Sequence, residues 1–316
     1  MPEELPAVDV LMSTYNGQQF LPEQIDSILD QHAARLRLLV RDDGSTDPTC
    51  TLLQQYAELR PGQIELLADG EHLGACASFG RLLLAAKAPY VMFSDQDDVW
   101  LSGKVALLLR RMLQAEAVHG RNCPVLVHSD LCVVDWTGRL LGKSFWKYQN
   151  IDPIVGSSLN RLLIQNVATG CAMMVNRALV QLAAPIPPEA IMHDWWLALV
   201  AAAFGRIECL TEPTVLYRQH GGNQIGACRW DAAHLVRKAR TVFDRRPVTE
   251  NMRRTAAQAQ ALLQRYGPQL SQQQREAVAA FAALPSSGFL QRRLHIARYG
   301  FLRTGWIRNL ALLVRV

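Results

Sequence analysis

Within the first hundred residues, short apolar runs each end in a polar loop and are separated by segments with helical spacing. That alternation constrains the chain to strand–helix units feeding a mostly parallel sheet. Val8–Met12 predicts a first strand, followed by Ser13-Thr14-Tyr15-Asn16-Gly17 and a helix with Ile25, Ile28 and Leu29 on one face. Leu36–Val40 predicts a second strand. It runs into Arg41-Asp42-Asp43-Gly44-Ser45, with Asp47 as the expected N-cap and Pro48 as the first residue of the next helix. A third strand is expected over Ile64–Ala68, a helix over Leu73–Lys87, and a fourth strand over Tyr90–Ser94 that stops at Asp95-Gln96-Asp97-Asp98. Acidic or amide-rich loops thus come after strands one, two and four. In open α/β sheets, ligands bind at that edge.

From about 125 to 225 the pattern predicts antiparallel strands and short helices completing the same domain, with a helix expected from His193 to Phe204. Beyond 229 the composition is helical, punctuated by Pro247, Pro268 and Pro285. Charge divides the chain at the same place. Residues 1–228 hold 17 basic and 24 acidic side chains, whereas 229–316 hold 16 and 4. The expected organisation is therefore a domain over 1–228 and a basic, mainly helical region over 229–316. An acidic body argues against a protein that coats nucleic acid, which needs a basic footprint. Seven cysteines, odd in number and without CxxC, predict reduced thiols rather than a disulfide framework or zinc site. The acidic MPEELPAVDV start predicts no signal peptide, and no run of 18 apolar residues predicts a membrane span.

Three carboxylates in four positions after the fourth strand repel one another, and a divalent cation with oxygen ligands, Mg2+ or Mn2+, offsets that cost. Alternation puts Asp95 and Asp97 on one side of an extended chain; a metal there would hold a diphosphate. The alternative is a solvated acidic turn capping the helix that starts near Ser102. Asp42-Asp43-Gly44-Ser45 offers a carboxylate for the imide N–H of uracil or thymine, or else an Asx-type turn. It superficially resembles the nucleophile motif of haloacid-dehalogenase phosphatases, but the required aspartate is replaced by Arg41. GxGxxG after the first strand, GxxxxGK[ST] and GxSxG are all absent from the sequence. Asp194, between His193 and Trp195-Trp196, is either a dipole partner in a helix's first turn or a partly desolvated general base. Further on, Tyr217-Arg218-Gln219-His220-Gly221-Gly222-Asn223 offers Arg218 and His220 to a leaving diphosphate, or His220 to the metal.

Residues 8–17, 41–47, 94–100, Thr169-Gly170-Cys171-Ala172-Met173, 193–196 and 217–223, in that order, resemble family 2 glycosyltransferases of the GT-A fold, and most of all their bacterial rhamnosyltransferase-like branch. The resemblance covers about residues 7–227. It implies an inverting, metal-dependent transfer of a sugar from a nucleotide-sugar donor, with dTDP-L-rhamnose favoured and a UDP-hexose as runner-up. The acceptor it implies is a lipid-linked saccharide in surface polysaccharide assembly. Thr14, Tyr15, Asn16, Asp43 and Asp42 would line the nucleotide pocket, together with Asp95. Asp95 and Asp97, supported by Asp98, would hold the metal; Asp194 would be the catalytic base; and Thr169, Gly170 and Trp195 would lie beneath the acceptor. The family's usual GluAsp pair is His193-Asp194 here, which leaves a base but removes the first carboxylate. A metal-dependent phosphohydrolase and a non-catalytic membrane-associated scaffold are the rival classes.

The basic region ends in arginines interleaved with Tyr299, Phe301, Trp306 and Ile307. That mixture suits the headgroup region of an anionic bilayer, where each basic residue adds about 1 kcal/mol. The alternative is a helical appendage packed on the catalytic domain. The expected location is the cytoplasm, at the inner face of the cytoplasmic membrane.

Overall fold

The computed structural model describes residues 5–67, 70–221 and 246–315. Ala68 of the expected third strand, Gly222 and Asn223 of the late motif, Cys228 and residues 229–245 lie outside the described residues. The strands are β1 (Ala7–Thr14), β2 (Arg35–Asp42), β3 (Ile64–Leu67), β4 (Tyr90–Ser94), β5 (Val99–Trp100), β6 (Val125–Asp135), β7 (Leu140–Gly142), β8 (Met173–Asn176) and β9 (Arg206–Gln219). They form one sheet in the order β3-β2-β1-β4-β8-β6-β9-β5, with β7 paired to β6. The β3-β2-β1-β4 half is parallel, and β8 joins it antiparallel to β4. Chain order predicted antiparallel strands beyond residue 125, but β9 runs parallel to β6 along most of its length. The helix before β9 returns the chain to the same end of the sheet, a crossover that a strand pattern alone does not reveal.

Helices cover both faces. They are α1 (Leu21–Leu29), α2 (Thr49–Leu59), α3 (Ala75–Ala85), α4 (Lys104–His119), the short α5 (Phe145–Gln149), α6 (Pro153–Gly156) and α7 (Leu159–Leu162), then α8 (Arg177–Ala183) and α9 (His193–Phe204). Alternation along β1 sends Val8, Val10 and Met12 to a core with Ile25 and Ile28 of α1 and Leu108 of α4, while Leu11 joins Phe79, Phe93 and Trp196 on the other face. Burial on both sides explains why the parallel strands read as nearly continuous apolar runs. The expected cap shifts by one residue, because α2 starts at Thr49. Asp47 nevertheless accepts from Thr49 N at 3.0 Å and from Gln18 N at 3.2 Å.

The C-terminal helices α10 (Arg246–Tyr266), α11 (Gln272–Ala282), α12 (Phe289–Tyr299) and α13 (Trp306–Arg315) pack on the sheet domain. Leu262, Tyr266, Val278, Phe281, Phe301 and Leu312 belong to the same core as Trp196 and Leu199 of α9. Polar contacts fasten the junction: Asn160 Nδ2 donates to Tyr299 O at 2.7 Å, and Thr304 N to Gln165 Oε1 at 3.0 Å. Among the described residues, no helix is long and apolar enough to cross a membrane.

Strand β1 lies between β2 and β4, so the chain leaves it toward one side of the sheet and later returns on the other. The loops after β1 and β4 lie side by side there, joined by hydrogen bonds between Tyr15 and Gln96. A crevice opens at the C-terminal edge of such a switch point.

Candidate active site

That crevice is a cavity of about 760 Å3. Its walls bring together Thr14, Tyr15, Asp43, Asp95, Asp97, Thr169, Gly170, Asp194 and Trp195, drawn from distant parts of the sequence. At one end, Asp43 is buried and held by Arg41 Nη1 at 2.6 Å and by Leu73 N and Gly74 N at 2.8 Å each. Oδ2 receives Gly74 N and stands 3.2 Å from His72 Nδ1, so the carboxylate lies between backbone donors and an imidazole at the cavity wall. Tyr15 is half exposed, its ring 4.9 Å from that of His72.

Two residues expected in the nucleotide pocket do not line the cavity. Asp42 is filled by its own turn, accepting from Thr14 Oγ1 at 2.8 Å, Ser45 N at 2.8 Å and Ser45 Oγ at 2.6 Å. Asn16 adopts a left-handed backbone with φ 49°. Its N–H donates to Ser45 Oγ and its Oδ1 accepts from Thr46 N, both at 2.8 Å. Both residues stitch the β1 and β2 loops together behind the wall, since short polar side chains readily satisfy local backbone.

In the acidic loop, Asp95 and Asp97 line the cavity, and so does Gln96 between them, because 95–98 bends after β4 instead of continuing as alternating strand. Asp98 is fully buried behind them. Its Oδ1 accepts from Arg218 N at 3.0 Å, while Oδ2 has no hydrogen-bond partner among the described residues. Ligand atoms of Asp95, Asp98 and Cys171 lie within 4.8 Å of one another. Burial pushes the Asp95 carboxyl up to about 7, helped by the charges of Asp97 and Asp194. Asp98 is raised by burial and by Asp95 and Asp97. Below the loop, Lys104 is buried 3.6 Å from the Trp100 ring centroid, and its Nζ donates to Cys171 O at 2.5 Å. Burial pushes its pKa down to about 7. Crowded carboxylates with an orphaned buried oxygen fit a hard divalent cation, with oxygen donors rather than the Cys171 thiol suiting Mg2+ or Mn2+.

His220 Nε2 stands 2.6 Å from Asp97 Oδ2, so the late motif does reach the acidic loop. Arg218 plays a different part from the expected one. Its Nε donates to Asp97 O at 2.8 Å, Nη1 to Trp136 O at 3.2 Å and Nη2 to Glu23 Oε2 at 2.7 Å. Almost fully buried, it holds the Asp97 segment in place instead of facing a diphosphate.

Asp194 opens α9. Oδ2 accepts from Gly170 N at 3.0 Å and Oδ1 from its neighbour Trp195 N at 2.5 Å. Burial raises its pKa to about 6 despite these donors. His193, where the resemblance implies an acid, is a buried aromatic, its ring centroid 4.0 Å from that of Phe79 and 4.9 Å from that of Phe93. Burial holds it neutral by pushing its pKa down to about 3.

Sequence reasoning passed over several wall residues. Gln96 Oε1 accepts from Tyr15 N at 2.8 Å and its Nε2 donates to Tyr15 O at 3.0 Å, which couples the β1 and β4 loops. Its position inside Asp95-Gln96-Asp97 was the available signal. His72, Gln149, Asn166, Arg303 and Arg308 also line the cavity. No local pattern marks them, because each reaches the site through distant packing.

A curled sheet whose switch-point crevice joins an acidic loop to a buried carboxylate at a helix start defines a GT-A transferase. A sequence model of glycosyl transferase family 2 matches residues 9–180, and the chain belongs to that family of glycosyltransferases. It is 26% identical over 228 residues to the dTDP-rhamnosyl transferase RfbG of Shigella flexneri, covering 68% of this chain and 74% of RfbG. That similarity agrees with the rhamnosyltransferase-like branch. Its fold is similar to TarS of S. aureus in complex with UDP-GlcNAc (TM-score 0.57, 15% identity, covering 92% of this chain and 80% of TarS). It is also similar to the mannosyltransferase PcManGT of Pyrobaculum calidifontis in complex with GDP-Man and Mn2+ (TM-score 0.50, 18% identity, 98% and 88% covered).

Proposed function

We propose that this glycosyltransferase is an inverting, Mg2+- or Mn2+-dependent enzyme. It moves L-rhamnose from dTDP-L-rhamnose to a hydroxyl of a lipid-linked saccharide, in surface polysaccharide assembly at the inner face of the cytoplasmic membrane. One observation carries the reading: the Asp95/Asp97 pair and the buried Asp194 carboxylate line the same cavity. The relative RfbG supports the donor, and the Mn2+ complex of PcManGT supports the metal.

Asp194 takes the proton of the acceptor hydroxyl as the oxygen forms its bond to the anomeric carbon. The bond from that carbon to the donor diphosphate breaks, and the nucleoside diphosphate leaves with the electron pair. Attack comes from the face opposite the leaving group, so configuration inverts. A carboxyl pushed up to about 6 is a stronger base than an ordinary aspartate and is still ionised at neutral pH. Gly170 N and Trp195 N orient it. Asp95 and Asp97, with Asp98 behind and His220 beside Asp97, would hold the cation, which supplies neutralising charge to the diphosphate. Tyr15 and His72 would flank the nucleotide, and Asp43 Oδ2 would accept its imide N–H. Thr169, Gly170 and Trp195 would underlie the acceptor sugar.

Uracil and thymine share that imide, and the fold's likeness to UDP-GlcNAc-bound TarS favours a UDP-hexose as the second reading. Thermal stabilisation by dTDP, UDP and GDP, each with and without Mg2+, tests the assignment. Metal-dependent stabilisation by dTDP above the others is expected. Stabilisation by GDP alone, or by none of them, contradicts it.

A further inference from the structure

Helices α12 and α13 have two unlike sides. Inward, Ile296 and Leu312 are buried in the core, and Arg308 fastens the start of α13 by donating to Asn150 O at 2.7 Å and to Gln149 O. Outward, α13 exposes Trp306, Leu310 and Val314, at 75%, 57% and 56%. A spacing of four residues keeps these three on one face. On α12, Leu290 and Leu294 are exposed with the same spacing, as is Phe289. Arg293 links the two helices: its guanidinium stands 3.4 Å from the Phe289 ring centroid, and its Nη2 donates to Leu313 O at 2.6 Å. The two apolar faces therefore adjoin at Phe289 and Leu313.

A helix that meets water ordinarily turns polar side chains outward, as α2 does with Gln54, Gln55 and Glu58. Helices α12 and α13 expose leucine, phenylalanine, tryptophan and valine instead, and an exposed apolar surface of that kind marks a contact. The charge of the segment indicates the partner. From Ala277 to Val316 the sequence holds six arginines and no aspartate or glutamate. A second copy docking through the same face would bring those like charges together across a twofold interface, which opposes self-association. An anionic lipid surface supplies the opposite charge, with an apolar layer beneath it. That attraction acts through the field, over about 8 Å at physiological salt, and needs no open guanidinium. Arg293 keeps its charge while donating to Leu313 O, and Arg298 is exposed on α12.

We propose that the outward face of α12 and α13 docks the chain on an anionic phospholipid bilayer. Trp306, Leu310 and Val314 enter the boundary between headgroups and acyl chains, with Leu290 and Leu294 beside them. Thr304, two residues before Trp306, donates from its N–H to Gln165 Oε1 at 3.0 Å, and Gln165 lines the cavity. Docking here sets the cavity beside the lipid surface, where a lipid-linked acceptor would be presented. That consequence rests on the acceptor reading given above; the docking itself does not.

The test is sedimentation of the full chain with vesicles of phosphatidylcholine alone and of phosphatidylcholine mixed with phosphatidylglycerol. Binding to the mixed vesicles is expected to exceed binding to phosphatidylcholine by about tenfold or more. Trp306→Asp with Leu310→Asp should lower it by about tenfold or more. Leu59→Asp with Val118→Asp, at exposed positions of α2 and α4, adds the same two negative charges away from this face and should lower it far less. Leu290→Asp with Leu294→Asp disrupts the face a second way and decides the matter if the first variant has a lowered melting temperature. Absence of binding to the mixed vesicles overturns the proposal, as does an equal loss in the face and control variants. So does a dimer in light scattering that the Trp306 and Leu310 substitutions dissolve, which would make the face an interface between copies. Failure of the sugar-nucleotide reading would show separately: a chain that binds the vesicles but is stabilised by neither dTDP nor UDP supports the docking and strikes the proposed activity.

Discussion

The backbone N–H of Gly170 donates to Asp194 Oδ2 at 3.0 Å, tying the turn before β8 to the first residues of α9. The carboxylate is thereby aimed at the cavity by backbone that no side-chain change can remove. Asp194→Asn keeps the shape and loses the base, and turnover is expected to fall by ~10²–10⁴-fold. Nucleoside diphosphate affinity, measured by calorimetry, should stay within about twofold. Retained turnover would take Asp194 out of the role.

Gly170→Ala tests the same alignment without touching the carboxylate. A Cβ there would meet His193 Nε2 at 3.0 Å and Asp194 Cβ at 3.5 Å. A displacement of a few tenths of an ångström is expected to lower kcat by roughly tenfold, since misplacement by about 1 Å costs ~10²-fold. Donor affinity should not follow.

The pH profile has a sign. Asp194 works as a base only when ionised, and its pKa is raised by burial to about 6. Turnover at saturating donor should therefore rise as pH increases through about 6, rather than through the ordinary aspartate range near 4. A profile flat from pH 5 to 8 would contradict the assignment.

Gln96 is expected to matter through Tyr15, because its amide exchanges two hydrogen bonds with that backbone. Gln96→Ala removes both. It should weaken dTDP binding by about tenfold, about the worth of one or two lost hydrogen bonds, with little change in the melting temperature. The readout is calorimetric affinity beside a thermal melt.

His128 is buried with neither ring nitrogen hydrogen-bonded among the described residues. Burial pushes its pKa down to about 4. A depressed folded pKa contributes stability that is present above the unfolded value near 6.5 and is lost as pH falls toward 4. His128→Leu removes that dependence and the unpartnered polar group together. Its melting temperature relative to the unaltered chain should rise progressively from pH 7 to pH 5. A constant difference would show that His128 does not titrate this way.

Much of the fold and half of the site were legible along the chain for a physical reason: they are local. Strand β4 ends at Ser94 and α9 runs from His193 to Phe204, as the apolar spacing predicted. Asp95 and Asp97 reach the cavity together because they stand in the bend that directly follows β4. What stayed hidden depends on long-range packing. Asp42 looked like a pocket carboxylate until Thr14 and Ser45 were seen to occupy it. Arg218 looked available, yet Glu23, 195 positions away, takes one arm of its guanidinium. The basic tail read as either a packed appendage or a lipid-facing surface. Its described helices bury Phe281 and Leu312 in the core while exposing Trp306 and Leu310, so packing and an outward apolar face coexist.

The most direct measurement of the central claim is product release from dTDP-L-rhamnose and UDP-hexoses, with and without Mg2+ or Mn2+, in the unaltered chain and in Asp97→Asn. Metal-stimulated release of dTDP is the expected result, with the stimulation lost and donor binding weakened in the variant. Metal-independent release, or inorganic phosphate as the product, would contradict it.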